Sequence, residues 1–304
     1  MKGSDGMSKC YLCPRACGAD RATGERGFCG MGDLPKVSRA SLHFFEEPVL
    51  SGTRGAGTVF FSGCSLRCVY CQNREISRGG AEGRTVTPAE LADIFLRLQA
   101  EGAHNIDLVT PTHFADKIRE ALILAKPSLK IPVVYNSSGY ESVDTLKSLE
   151  GLIDIYLPDF KYFSSELAAA YSYAPDYRSV AEAALTEMHR QVGAPVFDGD
   201  GMLLRGIIVR HLVLPASRKD SIALLRRLAE ILPVNELLLS LMSQYTPDFA
   251  ADATFDCLKR RVTSFEYSSV LNEAERLGFE GFMQGRASAS ADYTPDFLNS
   301  AQIT

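Results

Sequence analysis

Three cysteines stand at positions 64, 68 and 71, in the spacing C-x3-C-x2-C. One short loop that delivers three thiolates to a small volume supplies what a cubane iron–sulfur cluster requires. Four irons and three protein thiolates leave one iron without a protein ligand. An open coordination position separates a catalytic metal centre from a closed structural one. The alternative is a helix carrying Cys64, Cys68 and Cys71 at i, i+4 and i+7 on one buried face. Ser62-Gly63 before the motif and the polar Gln72-Asn73 after it favour a loop.

A second group precedes it. Residues 10–30 read CYLCPRACGADRATGERGFCG and contain Cys10, Cys13, Cys17 and Cys29. Four soft ligands close a site, either tetrahedral zinc or a fully ligated iron–sulfur cluster, and the spacing does not choose between them. Pro14, Gly18, Gly24, Gly27 and Gly30 let the chain turn around a metal. The alternative is four unmetallated cysteines. A closed site implies structure or electron relay. Seven of the eight cysteines lie between positions 10 and 71, in metal-type spacings that argue for a reduced, cytoplasmic metalloprotein and against disulfides. Cys257 stands alone and reads as a small buried residue.

A chain of 304 residues can bury a large core, and a net charge of −5 leaves no electrostatic footprint for nucleic acid or an anionic membrane. No apolar run reaches the length of a membrane span, and Met1-Lys2-Gly3-Ser4 opens no signal peptide. The expected division is a cysteine-rich segment and connector at 1–56, a barrel at 57–285 and an Ala/Ser-rich tail at 286–304. Tyr293–Phe297 in that tail repeats the pentapeptide of Tyr245–Phe249.

The elements that position the cysteines follow from periodicity. Thr58–Phe61 has the length and β-branched or aromatic character of a buried strand ending at the cysteine loop. Further strands are expected at 105–109, 131–135, 152–157, 206–214 and 237–242. Thr87-Pro88-Ala89-Glu90 is a capping box opening a helix, and helices are expected at 114–125, 143–149, 165–171, 177–192 and 221–232. Six apolar strands alternating with amphipathic helices predict an α/β fold with parallel β/α units. Six units are too few for a closed eight-stranded barrel. Phe197–Met202 reads as a hairpin tip. His189 reads as structural. In the connector, His43 and Glu46 or Glu47 can face the active site, a satisfied strand-end histidine being the alternative.

The cysteine motif, with Tyr70 before its third cysteine, resembles that of the radical S-adenosylmethionine (SAM) enzymes. Cys71-Gln72-Asn73-Arg74 is similar to the pyruvate formate-lyase activating enzyme branch. Residues 10–250 resemble uncharacterised homologues of that enzyme with an extra cysteine-rich N-terminus. The resemblance implies a partial (β/α)6 barrel, open at one side, whose active residues lie at the C-terminal strand ends. It implies a [4Fe-4S] cluster on Cys64, Cys68 and Cys71, SAM as cofactor, and Tyr70 near the adenine. Polar residues at strand ends, an Asp-x-Lys segment and a late-strand arginine position the cofactor in the family. The matching positions are Asn136, Asp159 with Lys161, and Arg210, with a rim salt bridge as the alternative for Asp159 and Lys161. Many members carry Gly-Gly-Glu after the second strand to hold the cofactor's amino group. This chain has Val109-Thr110-Pro111-Thr112-His113 there, which leaves Thr110, Thr112 or backbone carbonyls for that contact.

The expected function is reductive cleavage of SAM to a 5′-deoxyadenosyl radical that abstracts hydrogen from a substrate. An electron donor such as a flavodoxin or ferredoxin is implied. The substrate is either a glycyl radical enzyme, activated through the barrel's open side, or a small molecule or peptide modified directly. The rival class is a non-catalytic iron–sulfur carrier or zinc scaffold, which has little use for a polar-lined cavity.

Overall fold

A computed structural model of the chain describes residues 9–78, 83–250 and 254–283. After the cysteine-rich turns come β1 (Lys36–His43), α1 (Pro48–Ser51), β2 (Ala56–Phe61), α2 (Arg74–Ser77) and β3 (Arg84–Thr85). The chain then alternates: α3 (Pro88–Ala100), β4 (Ile106–Val109), α4 (Ala115–Ala125), β5 (Val133–Ser137), α5 (Val143–Ser148) and β6 (Ile155–Pro158). Next are α6 (Ser165–Ser172), α7 (Tyr177–Val192), β7 (Val196–Phe197), β8 (Leu203–Leu212), α8 (Arg218–Ile231), β9 (Leu238–Met242), α9 (Ser264–Leu277) and β10 (Gly281–Met283). The tail at 286–304, with its repeated pentapeptide, lies outside the described residues.

The strands form one sheet in the order β10-β9-β8-β6-β5-β4-β2-β1-β3, with β7 beside β8 as the arm of the expected hairpin. Strands β2, β4, β5, β6, β8, β9 and β10 run parallel, and β1 and β3 are antiparallel additions. The six expected strands are present, and β10 extends the row. The two ends of the row do not pair, so the barrel is partial and open, as expected. Every residue of β2, β4, β5 and β6 is buried, which explains their continuous apolar text. Thr87 and Glu90 complete the capping box that starts α3.

The expected connector is more than a connector. Strand β1 pairs with β2 antiparallel, His43 opposite Ala56, so the chain leaves β1 at the N-terminal mouth of the parallel strands. There α1 folds into the barrel. Leu50 packs against Val134, Ile155, Leu157, Leu203 and Ile208, an apolar floor separate from the main core between strands and helices. Burying such a leucine contributes about 1.5–3 kcal/mol. Asn105 Nδ2 donates to the Leu50 carbonyl at 2.8 Å and ties the plug to the sheet. With the floor sealed, a ligand space remains towards the C-terminal ends of the strands, where the cysteine loop sits.

Candidate active site

Strand β2 delivers the chain to residues 62–73, which form loops and turns before α2 begins at Arg74. The helical alternative for Cys64, Cys68 and Cys71 is thereby excluded. Backbone bonds fold the loop on itself: Gly63 N–H donates to Ile76 O at 2.8 Å, Cys71 N–H to Cys68 O at 3.2 Å, and Val69 N–H to Tyr171 O at 2.9 Å. Each thiol has a polar neighbour. Leu66 N–H points at Cys64 Sγ (3.3 Å), Ser172 Oγ at Cys68 Sγ (2.9 Å), and Ser77 Oγ lies 3.4 Å from Cys71 Sγ.

Burial pushes the Cys64 and Cys68 thiols up, while the Lys161 cation pulls both the other way. Such a thiol is inert as a free nucleophile and becomes an anion by giving its proton up to a metal. Among the described residues, no three His, Cys, Asp or Glu side chains are gathered tightly enough for one metal ion. The irons of a cubane are spread apart, and so are the thiolates that hold them. Three soft donors on one loop, electrostatic neighbours of one another, fit a [4Fe-4S] cluster.

Beside the loop lies a cavity of about 170 Å³ lined by Cys68, Cys71, Tyr70, Asp159, Lys161 and Arg210, together with Gln72, Leu212, Met242 and Gln244. Asp159 organises its cations. Lys161 Nζ lies 2.6 Å from Asp159 Oδ2, and Arg210 Nε lies 3.1 Å from Oδ1. Burial pushes the Asp159 carboxyl up, but Lys161 and Arg210 outweigh burial and hold it below its ordinary value. Arg210 also donates to Asn136 Oδ1. Its side chain is 16% exposed, so this is a buried ion network and not the rim salt bridge that was the alternative. Tyr70 is buried. Its hydroxyl lies 2.5 Å from that of Tyr162, which lies 2.7 Å from Ser172 Oγ, a hydroxyl chain ending on Cys68 Sγ.

Residues 58–193 match the radical SAM superfamily model. This stretch runs from β2 through α7 and is similar to that superfamily. The uncharacterized protein MJ0674 of Methanocaldococcus jannaschii is 29% identical over 288 residues, 90% of this chain and 76% of that protein. A second uncharacterized protein of that organism, MJ0808, is 25% identical over 170 residues, 49% of this chain and 48% of its own length. Among solved structures, Streptococcus suis SuiB bound to S-adenosylmethionine has 15% identity and a TM-score of 0.45, covering 73% of this chain and 48% of that one. Methylornithine synthase has 16% identity and a TM-score of 0.46, covering 72% and 63% respectively. The chain thus spans about half the length of SuiB.

Beside this cavity the barrel holds acidic groups that the strand text concealed. A second cavity, of about 160 Å³, shares Gln72, Arg210, Met242 and Gln244 with the first and adds Glu46, Glu47, Phe45 and Phe60. Arg210 Nη1 lies 3.4 Å from Glu46 Oε2, and Asp107 Oδ2 accepts from Asn136 Nδ2 at 3.3 Å. Burial pushes the Glu46, Glu47 and Asp107 carboxyls up, and Arg210 only partly offsets it. His43, Glu46 and Glu47 all line this second cavity. Asp107 was missed, although one acid in the apolar text Ile106–Val109 was a usable signal.

Not every expected side chain joins the group. Thr110 takes a left-handed conformation at φ 60° and turns the chain away from the barrel interior. Thr112 therefore ends on the outer side of the sheet, where its hydroxyl donates to Glu141 Oε1 at 2.6 Å and lines neither cavity. Tyr135 donates to the other oxygen of Glu141. Thr110 itself stays at the end of β4, its N–H donating to Asn136 O. His189 pairs with Glu236 at 2.9 Å, a structural role as expected.

The N-terminal cysteines are folded against the barrel. Arg15 donates to the carbonyls of Ser65 and Tyr173, and Arg21 to that of His113. A Cβ on Gly63 would meet Met31 Cγ at 2.4 Å and Cys29 O at 2.8 Å, so the two cysteine segments touch there. Cys13 has Cys10 and Cys29 as electrostatic neighbours, and Cys29 has Cys10 and Cys17. A Cβ on Gly27 would overlap Cys17 Sγ at 2.3 Å, a close approach that explains the glycine.

Proposed function

We propose that the chain is a radical SAM enzyme in which Cys64, Cys68 and Cys71 hold a [4Fe-4S] cluster and the adjoining cavity binds S-adenosylmethionine. The observation that supports it most is the joint lining of one cavity by two of the loop cysteines, Tyr70, Asp159, Lys161 and Arg210. When bound, the cluster supplies the electron that cleaves SAM to methionine and a 5′-deoxyadenosyl radical, which takes hydrogen from the substrate. The chain's own residues bind and orient. Lys161 offers a cation to the thiolates and to a carboxylate beside them. Asp159 fixes Lys161 and Arg210, and Arg210 carries Asn136 with it, so these polar groups are preorganised before a ligand arrives. Tyr70 presents a buried ring, and Leu212 and Met242 keep water from the cavity. Without a Gly-Gly-Glu segment, Thr110 or a carbonyl at the end of β4 takes the cofactor's amino group.

Cys10, Cys13, Cys17 and Cys29 form a second site. Its cysteines are electrostatic neighbours, and four thiolates suit an iron–sulfur cluster or zinc. Flush against the catalytic loop, it serves as a relay from a flavodoxin- or ferredoxin-type donor in a reducing, cytoplasmic compartment. The substrate enters between the unpaired ends of the sheet, where Phe45 beyond β1 and Phe282 on β10 line the same cavity. A glycyl loop of a partner enzyme fits that route. The carboxylates below it favour direct modification of a charged small molecule or side chain instead.

Anaerobically reconstituted, dithionite-reduced protein is expected to produce 5′-deoxyadenosine from SAM. An intact loop cluster that yields none with any low-potential reductant overturns the reading.

A further inference from the structure

The two cavities share a wall but have opposite balances of charge. In the upper one, Asp159 is matched by Lys161 at 2.6 Å and by Arg210 at 3.1 Å. The remaining nitrogens of Arg210 reach Asn136 and Glu46. That uses every lysine and arginine lining either cavity. Two further carboxylates, Glu47 and Asp107, make no ion pair among the described residues, and the field of Arg210 offsets their burial only in part. Glu47 is 8% exposed and Asp107 fully buried, and neither Glu47 Oε2 nor Asp107 Oδ1 has a hydrogen-bond partner. Glu47 lines the lower cavity from the plug, and Asp107 reaches the same network through Asn136 and the field of Glu46.

A buried carboxylate oxygen left unpaired costs about 1–3 kcal/mol or more, so two of them in one place call for a group from outside. An anion would meet three acids, whereas a cation beside them favours the ionised form that burial opposes. Phe45 and Phe60 bound the space, and aromatic faces attract cations. The volume of about 160 Å³ holds roughly five water-sized groups, enough for a charged head and a short stem.

We propose that the lower cavity binds a cationic substrate, an alkylammonium or guanidinium group on a short aliphatic stem, with Glu47 and Asp107 as its counter-charges and Phe45 and Phe60 around it. The stem then points up between Arg210 and Gln72 towards Cys68 and Cys71, where a radical formed from SAM meets a carbon–hydrogen bond. This rests on the radical SAM reading and narrows its substrate class.

The test uses full-length protein with its clusters reconstituted, SAM present and no reductant, so binding is read apart from SAM cleavage. Saturation-transfer NMR titrations compare n-butylammonium, n-butylguanidinium, 1-butanol and butanoate. One of the two cations is expected to bind at least tenfold tighter than 1-butanol, and butanoate not to bind. Glu47→Gln and, independently, Asp107→Asn are expected to abolish that preference in variants whose iron content and thermal midpoint show them folded. Equal binding of cation and alcohol by the wild type, or a preference that survives in both variants, overturns the proposal. So does a loss of SAM affinity in Glu47→Gln matching the loss of cation affinity, which would give the acids to the cofactor. Failure of SAM cleavage with the cation preference intact would instead contradict the radical SAM reading.

Discussion

The two cysteine groups touch at Gly63 but have different surroundings. Cys64, Cys68 and Cys71 come from one loop and open onto a cavity with a lysine, an arginine and an aspartate in fixed contact. Cys10, Cys13, Cys17 and Cys29 come from turns whose polar groups are spent on holding the segment to the barrel, as Arg15 and Arg21 do. Three ligands leave a position for a ligand to react, and four close the metal off. Cysteine number alone would have separated a catalytic from a structural centre only weakly. The Asp159, Lys161 and Arg210 network beside the loop cysteines sharpens the contrast.

Removing one cysteine from each group tests that contrast most severely. Cys64→Ala is expected to lower 5′-deoxyadenosine formation by more than about a thousandfold, in line with loss of the electron source. It should leave the N-terminal metal in place. Cys13→Ala should lose that metal and keep the loop cluster. Iron and zinc content, measured side by side with activity, checks both. Zinc in the wild type that disappears in Cys13→Ala would replace the relay with a scaffold.

Arg210→Met attacks the charged surroundings. It leaves Glu46, Glu47, Asp107 and Asp159 with Lys161 as their remaining cation. Loss of one partner of a buried ion network costs about 3–5 kcal/mol, which urea unfolding would register. Gly63→Ala attacks the seam. The new methyl meets Met31 and the Cys29 carbonyl at a φ of 82°, and a cost of about 2–3 kcal/mol is expected from overpacking and backbone strain together.

The seam also borders Glu141, the outer-face counterpart of the inner acids, and here pH is the probe. Burial raises the Glu141 carboxyl from 4.5 to about 7, against hydrogen bonds from Thr112 and Tyr135. Its contribution to stability is fully present below about 4.5, where both folded and unfolded forms are protonated. That contribution declines as the unfolded form ionises and is lost above about 7. Glu141→Gln should flatten the fall in stability across that window by about 3 kcal/mol.

Ser172→Ala is the mildest change. A hydroxyl pointing at Cys68 Sγ favours the more negative, reduced cluster. Its loss, on the order of 1 kcal/mol, should lower the loop cluster's potential by tens of millivolts in redox titration and leave the N-terminal one alone.

Much of this was legible in the sequence. Spacing marked both cysteine groups as candidate metal sites, and buried parallel strands announced themselves as continuous apolar text. Asp159, Lys161 and Arg210 were legible as strand-end residues. Glu46 and Glu47 were half-legible, because their place depends on α1 folding back into a barrel built from residues far along the chain. Strand β1 was hidden by its mixed text, KVSRASLH, which suits a strand exposed on one side near a sheet edge. Thr112 was misplaced because a single left-handed residue, Thr110, sends the following turn to the other face. Such a φ is rare for a β-branched residue and leaves no mark in the text.

The most direct test of the central claim is electron paramagnetic resonance of the reduced, reconstituted protein, recorded with and without SAM. The account predicts that SAM alters the signal of one cluster, that this response vanishes in Cys64→Ala, and that it persists in Cys13→Ala. A spectrum that SAM leaves unchanged, or a response that follows Cys13 instead of Cys64, would contradict it.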